Sequence, residues 1–196
     1  METILETTPV LTPKVNEKAK KMLLWFGLVS IGMMFAGLTS GYLVRRVAGN
    51  WLQFQMPSTF AISTAIILLS SITMNMAIQA IKKGNSQRLT MAAIITFMLG
   101  VAFGVSQFLS WKYLVNEKIF LTGSESTASS SYLYVLSALH LCHIVGGLVA
   151  LGVVSVRSRL GKYSAQNYLG VKLCVIYWHF LDALWVYLFV FLYMFR

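Results

Sequence analysis

Five apolar runs divide the chain, at about residues 23–44, 58–81, 91–115, 132–156 and 173–195. Each is near the twenty or so residues that a helix rising about 1.5 Å per residue needs to cross a hydrocarbon core. Backbone amides have no partners in lipid other than each other, so each run is predicted to be a helix despite its glycines and β-branched residues. Residues 1–21 are polar, with Pro9 and Pro13 and then Lys14, Lys18, Lys20 and Lys21. They are expected to form a tail ending in a short surface helix. The pattern predicts an all-α membrane protein, with the tail over 1–21 and one five-transmembrane-helix domain over 22–196. No internal repeat is visible.

Composition supports this. Of 196 residues, 57% are hydrophobic and only 11% charged, and the mean hydropathy is +0.70. A soluble domain carries roughly a quarter charged residues. The net charge of +10 does not mark a nucleic-acid partner, because Lys and Arg sit in the tail and short loops as topology signals. Eleven fall in the tail and in the 82–90 and 157–172 loops, against five at Arg45, Arg46, Lys112, Lys118 and Arg196. That bias predicts a cytoplasmic N-terminus and a periplasmic C-terminus. The first run follows a polar lead and is too long for a signal-peptide core, so it is expected to remain as a span. The Ser/Thr-rich stretch 122–131 is expected to be a pliable outer loop. Cys142 and Cys174 read as small buried hydrophobes rather than a disulfide, and no Cys-x-x-Cys-His haem motif is present.

The polar residues within the runs carry the candidate chemistry. Asp182 is the only acidic side chain inside an apolar run, and all three histidines, His140, His143 and His179, are there too. A carboxylate at membrane depth costs several kcal/mol, so it should face protein or water and have a partner. His140/His143 and His179/Asp182 are each i,i+3 pairs, which share a helix face. Three readings follow: a metal site, since paired i,i+3 ligands build such sites in bundles; a proton relay; or an interhelical hydrogen-bond cluster that orients the last two helices. A relay would need further titratable groups, which the first two runs lack. The cluster is the preferred reading. His143 and Asp182 lie roughly 20 and 15 Å from one membrane side at 1.5 Å per residue. Asp182 is therefore expected to bond a histidine of the fourth helix, or a nearby Tyr or Trp donor. Asn75, Gln79 and Gln107 are expected to join helices.

Small residues (Gly27, Gly32, Gly37 and Gly41; Gly100 and Gly104; Gly146, Gly147 and Gly152) predict close helix approach within one bundle. Trp25, Trp51, Phe54, Trp111, Tyr113, Tyr132, Tyr134, Tyr177, Trp178 and Tyr193 lie near run ends, as an interfacial belt would. Trp51, Trp111, Trp178 and Trp185 are candidate lipid or interface contacts. Arg45 and Arg46 are candidate phosphate grips or snorkelling anchors.

The segment Trp178-His179-Phe180-Leu181-Asp182-Ala183-Leu184-Trp185 resembles the final helix of haem–copper oxidase subunit III, which ends in a Trp-His-Phe-x-Asp-x-x-Trp pattern. His140-Leu141-Cys142-His143 followed by Gly146-Gly147 is similar to its penultimate helix. Gln107 with Trp111 matches a Gln-x-x-x-aromatic feature, and Ser30 with Phe35-Ala36-Gly37 resembles the opening helix of the five-helix form. The resemblance covers about residues 20 to 195. It implies a non-redox subunit with no cofactor of its own, haem and copper being held by partner subunits. Such a subunit packs mainly on subunit I, with subunit II and others in the complex, binds phospholipid, supports proton uptake and protects the oxidase during turnover. It also implies a bacterial-type inner membrane; the donor is cytochrome c or quinol, with the cytochrome c type preferred although both types have similar third subunits, and a respiratory supercomplex is left open. One departure matters: relatives commonly carry Glu directly after the serine matching Ser30, where this chain has Ile31. Near Trp111, another position often Glu is Ser110. The alternative function is a small transporter or channel built on the His/Asp cluster, although the five runs contain no proline to interrupt a helix.

Overall fold

The computed structural model describes residues 13–47, 58–122 and 127–195, with side chains from Glu17 onward. Five helices follow in order: α1 Pro13–Val47, α2 Ser58–Lys82, α3 Ser86–Asn116, α4 Ala128–Arg159 and α5 Leu169–Phe195. Each is long and apolar enough to span a membrane, and among the described residues there is no strand. The predicted runs all lie inside these helices. The structure lengthens them at the ends, where polar residues continue the helix beyond the apolar stretch.

Local chemistry sets several of those ends. Proline needs no amide partner in a first helical turn, and α1 begins at Pro13. The Lys-bearing end of the tail is thus the start of α1 itself, and no break near residue 21 separates it as a surface helix. Gly84, at φ +74°, ends α2 in a left-handed turn. Asn85 then caps α3, its side-chain oxygen accepting from the Arg88 amide at 2.9 Å. That tight connection makes α2 and α3 antiparallel neighbours, tied by Thr73 and Thr96 at 2.8 Å. Thr127 caps α4 through a reciprocal capping box with Ser130. Ser130 and Ser131 also donate to the carbonyls of Phe120 and Leu121 at 2.8 and 2.7 Å. The later part of the expected pliable loop is therefore a fixed helix start; residues 123–126 lie outside the described residues. Beyond α4, Tyr163 packs where a Cβ on Gly170 would stand, and burial raises its phenol pKa against the opposing pull of Arg157.

α2, α3, α4 and α5 pack in a ring, each touching the next, with α5 returning to α2. α1 lies outside that ring and, among the described residues, meets α4 and α5 alone. Tyr42 donates to the Phe195 carbonyl at 3.1 Å, so α1 and α5 run parallel. Two glycines of the ring admit one ring system. A Cβ on Gly100 would stand 2.7 Å from Trp178 Cη2 and 2.8 Å from Leu148 Cδ2; one on Gly147 would stand 3.2 Å from the Trp178 ring. Gly41 similarly admits Tyr132, whose hydroxyl oxygen would be 3.0 Å away. The expectation of close packing fails for Gly27, Gly32 and Gly37, where no atom lies within 4 Å of such a Cβ. At these positions α1 does not approach its neighbours closely enough to require a glycine: Gly27 lines an open recess with Leu173 and Tyr177 of α5.

Replacing Gly100 with Val is expected to destabilise the detergent-solubilised chain by about 1–3 kcal/mol, since the fully buried, rigid Trp178 ring stands in the way. Gly32→Ala is expected to be neutral or slightly stabilising, because it relieves a helix-interior glycine. Denaturant titration of both variants checks the contrast.

Candidate functional site

On α5 the residues Trp178, Leu181, Trp185, Leu188 and Leu192 recur at steps of three and four, and all are buried. This stripe is the wall on which the ring closes. Trp178 Nε1 donates to Ser70 Oγ and Trp185 Nε1 to Thr64 Oγ1, each at 3.0 Å. The two indoles are seven residues apart and the two α2 hydroxyls six, as antiparallel helices require. Phe60 stacks on Trp185, and Phe103 meets it edge-on with centroids 4.9 Å apart. Trp111 joins α3 to α4 in the same way, its Nε1 donating to Ser137 Oγ at 3.0 Å. Individual hydrogen bonds between membrane helices contribute only about 0.6 kcal/mol on average. The close fit of the rings must supply most of the association, with the bonds fixing rotation and register.

Trp178 and Trp185 are therefore core residues, and assigning Trp178 to an interfacial belt, or either residue to lipid contact, is corrected. A ring near a run end faces water or lipid only when its side of the helix does, and theirs faces α2 and α3. Trp25 and Tyr113 do remain exposed. Arg45 is exposed, and Arg46 carries its guanidinium 5.8 Å from the Phe195 ring. Trp51 and Phe54 lie outside the described residues.

The four titratable residues do not form one hydrogen-bonded cluster. His140 is fully buried in a box of Phe35, Phe103 and Trp185, and among the described residues neither ring nitrogen has a hydrogen-bond partner. His143 turns toward α1, 5.8 Å from the Phe35 ring centroid. Its Nδ1 donates to its own helix at Leu139 O, 2.7 Å away. His179 points to α2, with Nδ1 2.7 Å from Ser71 Oγ and Nε2 3.2 Å from Asn75 Oδ1. Asp182 is 4% exposed. Its Oδ2 lies 3.8 Å from His179 Nδ1, beyond hydrogen-bond reach, and neither carboxylate oxygen has a partner among the described residues.

The expected bond from Asp182 to an α4 histidine is thus absent. The depths match, but the directions do not. Leu181, one residue earlier, faces Gly147 of α4, and one residue turns a helix by about 100°, which carries Asp182 round toward α2. Among the described residues no three His, Cys, Asp or Glu side chains gather as metal ligands would.

Gln107 joins α3 to α2 as expected, donating to Ser63 Oγ at 3.1 Å, and Asn75 joins α2 to α5. Gln79 is exposed instead. Cys174 is buried as expected, but Cys142 is exposed. The hydroxyls Ser63, Thr64, Ser70, Ser71 and Ser137 were the functional partners the sequence reading passed over. For the four on α2, recurrence inside the second run was the available signal; among these hydroxyls only Ser137 is on α4.

Two substitutions separate packing from bonding. Ser70→Ala is expected to cost about 1–2 kcal/mol by leaving the buried Trp178 N–H unpaired. His140→Phe is expected to change stability by less than about 1 kcal/mol, since the imidazole makes no polar contact and an aromatic ring of similar size replaces it. Unfolding of both variants in detergent measures the difference.

The family model for cytochrome c oxidase subunit III matches residues 52–196, a stretch that includes α2 to α5. A probable cytochrome c oxidase subunit 3 of Nocardia farcinica is 31% identical over 174 residues, covering 84% of this chain and 82% of its own. The cytochrome c oxidase subunit 3 of Thermostichus vulcanus is 31% identical over 177 residues, covering 85% and 82%. A cytochrome bo(3) ubiquinol oxidase subunit 3 of Buchnera aphidicola is 27% identical over 198 residues, covering 98% and 94%. With a match over most of its length and its tryptophan-lined α5 at the centre of the bundle, this chain belongs to the cytochrome c oxidase subunit III family.

Proposed function

We propose that the chain is the accessory third subunit of a proton-pumping terminal oxidase that reduces oxygen to water, and that it holds no redox centre of its own. The family match across α2–α5 carries this reading. The geometry agrees with it: the indoles, hydroxyls and histidines of the helices are used to fix one helix against another. The transporter alternative gains no support, because all five helices run unbroken and the His/Asp set does not converge on one site.

Within that reading the haem and copper belong to partner subunits, with subunit I as the main contact and subunit II beside it. The chain sits in a bacterial inner membrane, N-terminus inside, as the Lys/Arg bias supports. Cytochrome c is the proposed donor, in keeping with the names of the Nocardia and Thermostichus relatives; the Buchnera relative's name makes quinol the outcome to test against. Phospholipid is proposed for the open groove between α1 and the α4–α5 pair. That groove is lined by Leu24, Gly146, Leu173 and Tyr177, with Arg157 at its rim, and a cavity of about 450 Å³ opens there. Arg45 and Arg46 are suited to headgroups at the opposite end of α1. Ile31 lines the same side of α1 in an apolar recess, so support of proton uptake does not run through a carboxylate at that position.

Affinity purification of the tagged chain from native membranes is expected to bring down haem-bearing subunits with a reduced-minus-oxidised spectrum. A preparation containing the chain alone, stable and without haem, would overturn the reading. A binuclear copper signal in the copurifying donor subunit would establish cytochrome c, and its absence would establish quinol. His140→Ala is expected to leave the metal content of the complex unchanged by elemental analysis.

A further inference from the structure

The turn between α2 and α3 carries cations that nothing in the chain balances. Lys82, Lys83 and Arg88 surround it, and no Asp or Glu lies between Glu17 and Glu117. Lys21 of α1, by comparison, pairs with Glu17 at 3.4 Å. Among the described residues neither Lys83 nor Arg88 is in an ion pair. Both stand at the mouth of a groove of about 350 Å³ between the two helices. Gln79 lines it next, then Met76 and Met91, all three exposed, with Thr73 at the inner end. The Thr73 hydroxyl is already occupied, 2.9 Å from the Ser70 carbonyl and 2.8 Å from Thr96 Oγ1. The inner end therefore offers nothing to a polar ligand.

The groove has the length and the polarity gradient of one membrane leaflet. From Lys83 to Thr73 the α2 axis rises about 15 Å, half of a hydrocarbon core of about 30 Å. Charge sits at one end, an amide able to donate to ester oxygens comes next, and thioether side chains follow. A volume of about 350 Å³ over about 15 Å leaves a section of roughly 23 Å², the width of one extended hydrocarbon chain. A partner's transmembrane helix, about 10–12 Å across with its side chains, does not enter. Partner loops on this side are also the wrong complement, because the positive-inside bias gives them cations too. A second copy brings the same three cations. An anionic headgroup brings the balancing charge, and lipids of the cytoplasmic leaflet carry it.

We propose that the α2–α3 groove binds one anionic phospholipid of the cytoplasmic leaflet. Lys83 and Arg88 hold its phosphate, Gln79 donates to the glycerol ester region, and one acyl chain lies along Met76 and Met91. The site is separate from the open groove beside α1 and from Arg45 and Arg46. It holds for the chain alone as well as within a complex, and of the reading above it uses only the membrane orientation.

The test uses the full chain, reconstituted in vesicles of equimolar phosphatidylglycerol and phosphatidylcholine, with a photoreactive diazirine in the acyl chain of one lipid at a time. Peptide mass spectrometry reads where each lipid attaches. Phosphatidylglycerol is expected to label residues 73–79 and 88–95 at least about tenfold more than phosphatidylcholine, as two basic residues near the surface allow. Lys83→Gln combined with Arg88→Gln is expected to abolish that preference. Lys82→Gln removes a charge from the same turn without lining the groove, and is expected to leave the preference intact. All three side chains are exposed, and thermal unfolding of the variants keeps folding out of the comparison. Equal labelling of the unaltered chain by the two lipids overturns the site. So does a loss in Lys82→Gln as large as in the double variant, which would reduce the effect to a diffuse attraction of the basic end. Displacement of the lipid by inorganic phosphate would make the groove a free-anion site and also overturns the proposal. Protease protection of the N-terminal tail in sealed native membranes reads the orientation separately. A tail found outside overturns the choice of leaflet, while the labelling alone decides the groove.

Discussion

The position of one indole controls the bundle. Trp178 occupies the space that side chains on Gly100 and Gly147 would fill, and donates its N–H to Ser70. It thereby touches α2, α3 and α4 from α5. In lipid, burial of apolar surface does not drive helices together, because the tails are as apolar as the side chains. Shape must do that work. The six-membered edge of the ring lies against a glycine on each of two helices, Cη2 and Cζ2 at Gly100 and Cε3 and Cζ3 at Gly147, and the single bond to Ser70 sets how α5 is rotated. Trp185 repeats the arrangement two turns later with Thr64, Phe60 and Phe103.

That rotation decides the fate of every other polar group on α5. With the tryptophans held inward, Leu181 faces α4, while His179 and Asp182 are turned toward α2. The i,i+3 spacing of the last two suggested a shared site with the α4 histidines, and it does place them side by side. It cannot say which neighbour they meet. His140 and His143 are similarly divided, one inside an aromatic box and one facing α1. What looked like a four-residue cluster in sequence is two packing residues on α4 and a separate His179/Asp182 pair on α5 turned toward α2.

The same constraint separates two kinds of surface. α1 presents open glycines and exposed large apolar side chains, a face suited to lipid. The α2–α5 face presents the Asn75 amide and the His179 imidazole, with the Asp182 carboxylate buried behind them.

The number, type and approximate limits of the helices were legible in the sequence, because a bilayer core leaves the backbone no alternative to helix and sets a minimum length. The family was legible in the spacing of Trp178, His179, Asp182 and Trp185. Direction around each helix was not. Gly27 and Gly100 look alike in a list of small residues, but one faces open space and the other a tryptophan. Trp178 sits near a run end, yet its side of the helix faces protein. Thr127 reads as part of a polar loop until its reciprocal bonds with Ser130 make it a cap. Periodicity determines which residues share a face; only the packing of the other helices decides what that face meets.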